Sequence, residues 1–365
     1  MDIYATSLPT SAGYGEKTRD FFAKNTNPML LIDFAGVKIF ESATVDTNIL
    51  LFAKAANEHK TWCAVTNKQN KDSVKNLSVF VQQSGTECEF CSSDSWVILS
   101  PIEQSIKRKI EAVGTPLKDW DIQINYGIKT GYNDAFIIDT AKRDEILANC
   151  QSEDERKRTA ELIRPILRGR DIKRYGYNWA NLWLINTHNG IRGKLERIHI
   201  EDYPAVKAHL DHYWDRISKR ADKGDTPYNL RNCAYLEDFS KPKIVWGNLN
   251  LRPSYAIVEY NSFINAPSPM IVPASRYLLA ILNSKLADYF IRQLGVTRNG
   301  GYFEYKPMFI EQLPVPQCLD DSILKEINTN ATIKNEKIID TIVYSLYGLN
   351  DEEIQYIEKG TQENY

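Results

Sequence analysis

Glu304-Tyr305-Lys306, with Asp288 upstream, has the residue types of a metal-dependent nuclease site. Two carboxylates there could hold Mg²⁺ while a lysine acts on the nucleophilic water. The pattern is short, and Val296 to Lys306, polar and glycine-bearing with flanking aromatics, reads equally as a binding loop or a connector. Gly127-Ile128-Lys129-Thr130-Gly131 offers backbone amides and a lysine to an anion. It lacks the Gly-Lys-Ser/Thr ending of a nucleotide loop, so a tight strand-to-strand turn able to touch a phosphate backbone is favoured. Leu162 to Tyr175 interleaves Arg164, Arg168, Arg170, Lys173 and Arg174 with apolar residues. Such a surface can grip phosphates or read guanine edges, and a solvated basic face is its alternative. Cys88-Glu89-Phe90-Cys91 has no second Cys pair to complete a zinc site, with Cys63 and His59 on another segment, and reads as part of a hairpin turn. His209 and His212 share a helix face without an HExxH pattern and read as surface or interface residues.

The elements that must position these residues belong to a soluble globular chain. Of 365 residues, 43% are hydrophobic and 25% charged, a balance that excludes disorder and suits two or three domains. Forty-five basic against 47 acidic residues exclude a histone-like binder. The charge is unevenly spread: Arg156 to Arg174 holds eight basic and two acidic residues, whereas Leu319 to the end holds four lysines and ten carboxylates. A basic patch on a near-neutral chain fits selective anion binding. No apolar run reaches the roughly 18 residues of a membrane span. The N-terminus shows no signal or transit pattern, and six scattered cysteines suit a reducing compartment, so a cytoplasmic protein is expected.

Tyr14 to Lys24 reads as a short amphipathic helix, and Met29–Phe34, Val37–Glu41 and Thr47–Ala53 as strands of a buried sheet. Residues 61 to 100 alternate apolar and polar before a helix over Ile102–Val113. Asp121 to Asp139 reads as two strands around the Gly-x-x-x-Gly turn. Helices are expected at Ser152–Ile163, Tyr203–Arg220, Ser275–Leu294, Ile323–Leu346 and Asp351–Lys359, with aromatic-rich strands at Tyr177–Ile185 and Lys243–Gly247. The class is α+β or mixed α/β.

Ala12-Gly13-Tyr14-Gly15-Glu16-Lys17-Thr18-Arg19-Asp20-Phe21-Phe22, then Leu31-Ile32-Asp33-Phe34 and Val37 to Thr47, resembles the last part of the catalytic domain of N6-adenine DNA methyltransferases fused to type IIG restriction enzymes. The rest resembles the TaqI-like C-terminal specificity domain. The matching stretches are Tyr126 to Phe136, Arg164-Pro165-Ile166-Leu167-Arg168-Gly169-Arg170-Asp171-Ile172, Leu279 to Lys285, and Ile310-Glu311-Gln312-Leu313-Pro314-Val315-Pro316. The resemblance implies three parts: a methyltransferase remnant over 1–70, a DNA target-recognition domain over 71–318, and an acidic helical segment over 319–365 that acts as a structural cap.

The resemblance also implies that this chain serves as the specificity part of a type IIG restriction-modification enzyme and recognises a short double-stranded DNA sequence. The family's glycine-bearing S-adenosylmethionine motif and its Asn-Pro-Pro-Tyr motif do not occur here. No activity is therefore expected of the chain alone; S-adenosylmethionine, and Mg²⁺ for cleavage, belong to the parent enzyme. Phe40 matches the aromatic that stacks on the flipped base in this family, or is a core residue. Lys129, Arg168, Arg170, Lys173, Arg174, Arg298, Tyr302 and Lys306 are the residues expected at DNA. The alternative is the C-terminal half of a split N6-adenine methyltransferase, active only when another chain supplies the methyltransferase or nuclease half. A further alternative is an inert interaction or decoy protein.

Overall fold

The apolar runs Asn27–Asp33 and Asn48–Ala53 pair antiparallel, Leu31 opposite Leu50 and Ile32 opposite Ile49. The computed structural model describes residues 2–6, 15–34, 47–66, 75–93, 96–259, 261–295, 301–317 and 320–363. The strand expected at Val37–Glu41, and Phe40 within it, lie outside the described residues. The chain divides into two compact units, Met1–Arg108 and Lys109–Tyr365.

In the first unit, five strands lie in the spatial order Asp2–Thr6, Asn48–Ala53, Asn27–Asp33, Thr61–Val65, Thr86–Cys88. All neighbours run antiparallel except Asn27–Asp33 with Thr61–Val65. The helix Glu16–Asn25 precedes the central strand. Cys63 and Cys88 are both buried on adjacent strands, where the neighbouring Cys88 thiol and burial push the Cys63 thiol up. Cys91 is exposed, and no three metal-ligating side chains cluster among the described residues.

The second unit has two four-stranded sheets. One orders Phe263–Ile264, Ile163–Leu167, Leu182–Ile185 and Ile137–Asp139, and the other Tyr255–Val258, Lys243–Trp246, Pro269–Val272 and Gln123–Tyr126. The core over which they close includes Phe136, Ile166, Leu184, Phe239, Val245, Ala256 and Met270. The unit is α+β.

Several elements differ from expectation. Gln123–Tyr126 and Ile137–Asp139 belong to different sheets, so the Gly-x-x-x-Gly stretch is a crossing segment and not a hairpin turn. The helix expected over Ser275–Leu294 breaks at Ser284, whose extended backbone and hydroxyl cap a new helix, Lys285–Gln293. Lys334, at a φ of 59°, and the cap Asn335 likewise split the expected Ile323–Leu346 helix into Asp321–Ile333 and Glu336–Leu346. The acidic C-terminal helices supply carboxylates to basic groups of the same unit: Glu353 to Lys109, Glu336 to Arg174, and Glu358 to Lys285.

Candidate nucleic-acid interface

Gly127 lies against the chain that follows Ile264, where an added Cβ would meet the Ile264 carbonyl at 2.2 Å. Its amide donates to the Ser268 carbonyl (2.8 Å), and the next amide, that of Ile128, to the Ile264 carbonyl (2.7 Å). Two amides that an anion cradle would use are therefore occupied by backbone, which leaves the disfavoured phosphate-loop reading without support. Gly131, at a φ of +70°, turns the chain back, and the buried Arg220 guanidinium donates to the Thr130 carbonyl within that bend. The bend presents Lys129, whose side chain is 57% exposed and lies 3.8 Å from Asp222.

The segment Asn265–Ser268 gathers the other candidates. The Asn265 amide donates to the Leu167 carbonyl (2.8 Å), and a Cβ on Gly169 would meet the Ser268 hydroxyl at 2.7 Å and Gly247 at 3.3 Å. The turn Arg168–Asp171 is thus held beside Lys129's segment. Within it Arg168 spans both oxygens of Asp171 (2.8 and 3.0 Å). Burial works against the Asp171 charge, yet the hydrogen bonds from the Arg168 side chain and backbone hold its carboxyl below the ordinary value. Arg168 is therefore a positioning group, and Arg170 is the guanidinium that the turn exposes. Exposed Lys173 donates to the Arg170 carbonyl (2.8 Å) and lies on the same rim.

Arg174, expected at DNA, is 10% exposed and faces the other way: it pairs with Glu336 (2.5 Å) and donates to the Pro253 carbonyl (3.1 Å). Lys306 pairs with Glu304 (2.7 Å), and Tyr302 is exposed just before the short pairing of Phe303–Glu304 with Leu249–Asn250. Asn250 hydrogen-bonds Gly247, which joins this pair to the rim. Arg298 lies outside the described residues. The structure therefore brings Lys129, Arg168, Arg170 and Lys173 to one rim around Asn265–Ser268, with Tyr302 and Lys306 beside the adjoining strand pair.

The nuclease reading is not supported by the geometry. Asp288 is 0% exposed and taken by Arg292 (2.9 and 3.0 Å) and by the Tyr305 hydroxyl (2.7 Å). Glu304 is held by Lys306, so the carboxylates do not converge on a shared metal position. Tyr305→Phe should accordingly act on folding: losing a buried donor to a charged acceptor costs about 1.5–3 kcal/mol, read from the urea midpoint. A change below about 0.5 kcal/mol would count against this network. His209 is likewise a core residue and not a surface one. It donates to the Ala135 carbonyl (3.0 Å), and burial lowers its pKa.

Sequence reasoning missed Arg220 and the hairpin Asn189–Arg197. The cavity under that hairpin, of about 850 Å³, shares Asn232 and Cys233 with a second cavity of about 480 Å³ lined by Tyr126–Lys129, Arg231, Ala266 and Pro267.

Residues 164–315 match the TaqI-like C-terminal specificity domain. The motif stretches 164–172 and 279–285 fall inside that range, and 126–136 precedes it. The chain is 22% identical to the type II methyltransferase M.BstVI of Geobacillus stearothermophilus, over 98% of this chain and 65% of that protein. It is 21% identical to M.PaeR7I of Pseudomonas aeruginosa, over 72% of this chain and 44% of that protein. Its fold is similar to that of the type IIL restriction-modification enzyme MmeI, solved in complex with DNA (TM-score 0.55, 12% identity, 99% of this chain and 49% of that one). It is also similar to that of the type IIG restriction endonuclease BpuSI (TM-score 0.50, 14% identity, 100% and 47%). The chain thus spans between 44% and 65% of the length of these proteins. Residues 164–315 are thus similar to the TaqI-like C-terminal specificity domain, within a chain similar along 98% of its length to a type II methyltransferase.

Proposed function

We propose that this chain recognises a short double-stranded DNA sequence as the specificity part of a type II restriction-modification enzyme that methylates adenine at N6. The match of residues 164–315 to a specificity domain carries the reading. The rim of Lys129, Arg170 and Lys173 gives it a surface. Lys129, Lys173 and Lys306 are point charges suited to phosphates, whereas exposed Arg170 has the planar fork that fits a guanine edge. Tyr302 offers an exposed ring beside them.

S-adenosylmethionine, which supplies the methyl group in such enzymes, is assigned to the parent enzyme. The residues of this chain do not fit it, because the glycine-bearing motif that binds it in the family is absent from this sequence. Mg²⁺ has no converging carboxylates here, since Asp288 is sealed by Arg292 and Tyr305. No described helix is long and apolar enough to cross a membrane, and a cytoplasmic location fits the proposed role. A second reading, the target-reading half of a methyltransferase completed by another chain, is favoured by the similarity to M.BstVI along 98% of this chain.

The test is selection from random DNA duplexes by the full chain across a salt series. An enriched short motif, with log K falling linearly against log salt, is the expected result. Lys129→Ala should weaken binding to all sequences alike and reduce the salt slope by about 1. Binding without enrichment would overturn independent recognition and favour the two-chain reading. No binding would overturn the proposal.

A further inference from the structure

Asn189–Arg197 is a cationic finger whose tip engages no protein group among the described residues. Ile191 and Leu195 exchange backbone hydrogen bonds (2.8 and 2.9 Å), and the Lys194 amide closes the turn on the Ile191 carbonyl (2.9 Å). Arg192 and Gly193 are then the two central turn residues. Gly193 has a φ of +74° with open space around it, as the third position of a glycine-bearing turn favours.

The finger's base is fixed. Asn189 donates to the side chains of Asp225 and Asn232 and accepts from the Asp225 amide (2.8 Å). A Cβ on Gly224 would meet the Asn189 side-chain oxygen at 2.4 Å, and one on Gly190 the Leu195 carbonyl at 2.4 Å, so both glycines are needed for this packing. The local charge is positive: residues 188–197 and 219–234 carry seven basic and three acidic groups. Several of these cations are held. Lys194 pairs with Glu237 (2.5 Å), Arg231 with Asp222 (2.9 Å), and Arg220 is buried. Arg192 is exposed, and no ion pair or side-chain hydrogen bond engages it among the described residues.

We propose that the Asn189–Arg197 hairpin enters the major groove of the bound duplex, with Arg192 reading a guanine edge. The inference rests on the proposed DNA-recognition role and adds to it a residue and a base class. A narrow antiparallel hairpin fits the major groove, and an arginine at its tip presents two parallel N–H groups to guanine O6 and N7. The cavity beneath this tip shares Asn232 and Cys233 with the cavity that Lys129 lines. The groove side of the duplex can then meet the finger while its backbone meets the rim.

The full chain, Arg192→Ala and Arg192→Lys are compared in the random-duplex selection and salt series, with thermal melts as a folding control. The wild-type motif should contain a G·C pair that becomes degenerate in both variants, with discrimination at that pair falling about tenfold or more. Lysine keeps the charge but lacks the fork, so its failure to restore the pair separates base reading from phosphate contact. An unchanged motif with a salt slope lower by about 1 would make Arg192 a phosphate contact and overturn the inference. An unchanged motif with an unchanged slope would overturn it as well. No motif in the wild-type selection would overturn independent recognition by this chain, and the inference with it.

Discussion

Arg220→Ala should destabilise the second unit by about 3–5 kcal/mol, the scale of breaking a buried charged network. At roughly 2–4 °C per kcal/mol, the melting temperature should fall by about 10 °C. The side chain is 7% exposed. Its guanidinium donates to the carbonyls of Thr130, Asp222 (2.8 Å), Pro227 (3.1 Å) and Asn229 (2.5 Å), and stacks 4.4 Å over the Phe136 ring. Burial lowers its pKa to about 10, so the cation is still held at neutral pH. Truncation would leave buried carbonyls without a donor and open a void against Phe136, two penalties that add. The same carbonyls belong to the bend that presents Lys129 and to the segment that anchors the Asn189–Arg197 finger. Duplex binding should therefore weaken even at temperatures where the variant stays folded. Lysine, with one compact ammonium, cannot reach four carbonyls, so Arg220→Lys should recover less than half of the loss. Urea unfolding settles the matter: a loss under about 1 kcal/mol would mean that the bend is held by backbone alone.

This keystone was not legible in the sequence because its partners are main-chain oxygens, which leave no residue-type signal. What the chain does reveal follows periodicity. The runs Asn27–Asp33 and Asn48–Ala53 and the helix Glu16–Asn25 stand where apolar spacing puts them. The Gly127–Gly131 stretch shows the limit of local reading. Its glycines suggest amides open to an anion, but Gly127 is required by the close approach of Ile264, a residue far along the chain. The basic run behaves likewise. Arg170 and Arg174 look equivalent in sequence, yet Tyr175 hydrogen-bonds the strand Tyr255–Val258 and the C-terminal helix supplies Glu336. Arg174 is consumed inside while Arg170 is exposed. The acidic end therefore does more than balance charge, since its carboxylates neutralise Lys109, Arg174 and Lys285 within the unit.

Asp340 gives the opposite case, a carboxylate whose ionisation should weaken the fold. It lies on the helix Glu336–Leu346 with a side chain 7% exposed, accepting from the Lys285 amide (2.9 Å) while the Lys285 ammonium is 3.9 Å away and turned to Glu358. Burial raises its pKa to about 6, against the lowering pull of the Lys285 amide, the Lys285 charge and the Arg174 charge, with Glu336 adding to the rise. The folded state thus binds the proton more tightly than the unfolded chain, whose value is 3.8. The stability tied to that proton is complete below pH 3.8 and is lost as pH rises through about 6. At about 1.4 kcal/mol per unit, the full loss approaches 3 kcal/mol. Asp340→Asn keeps an acceptor for the Lys285 amide and cannot ionise. It should match the wild type near pH 4 and exceed it by about 2–3 kcal/mol at pH 7.5, measured by urea unfolding at both values. The difference between the two proteins isolates this group from carboxylates such as Asp171, whose depressed pKa places its own loss of stability at lower pH. A variant that loses stability at pH 7.5, or a difference that stays flat from pH 4 to 7.5, would show that Asp340 is ionised in the fold as it is in water.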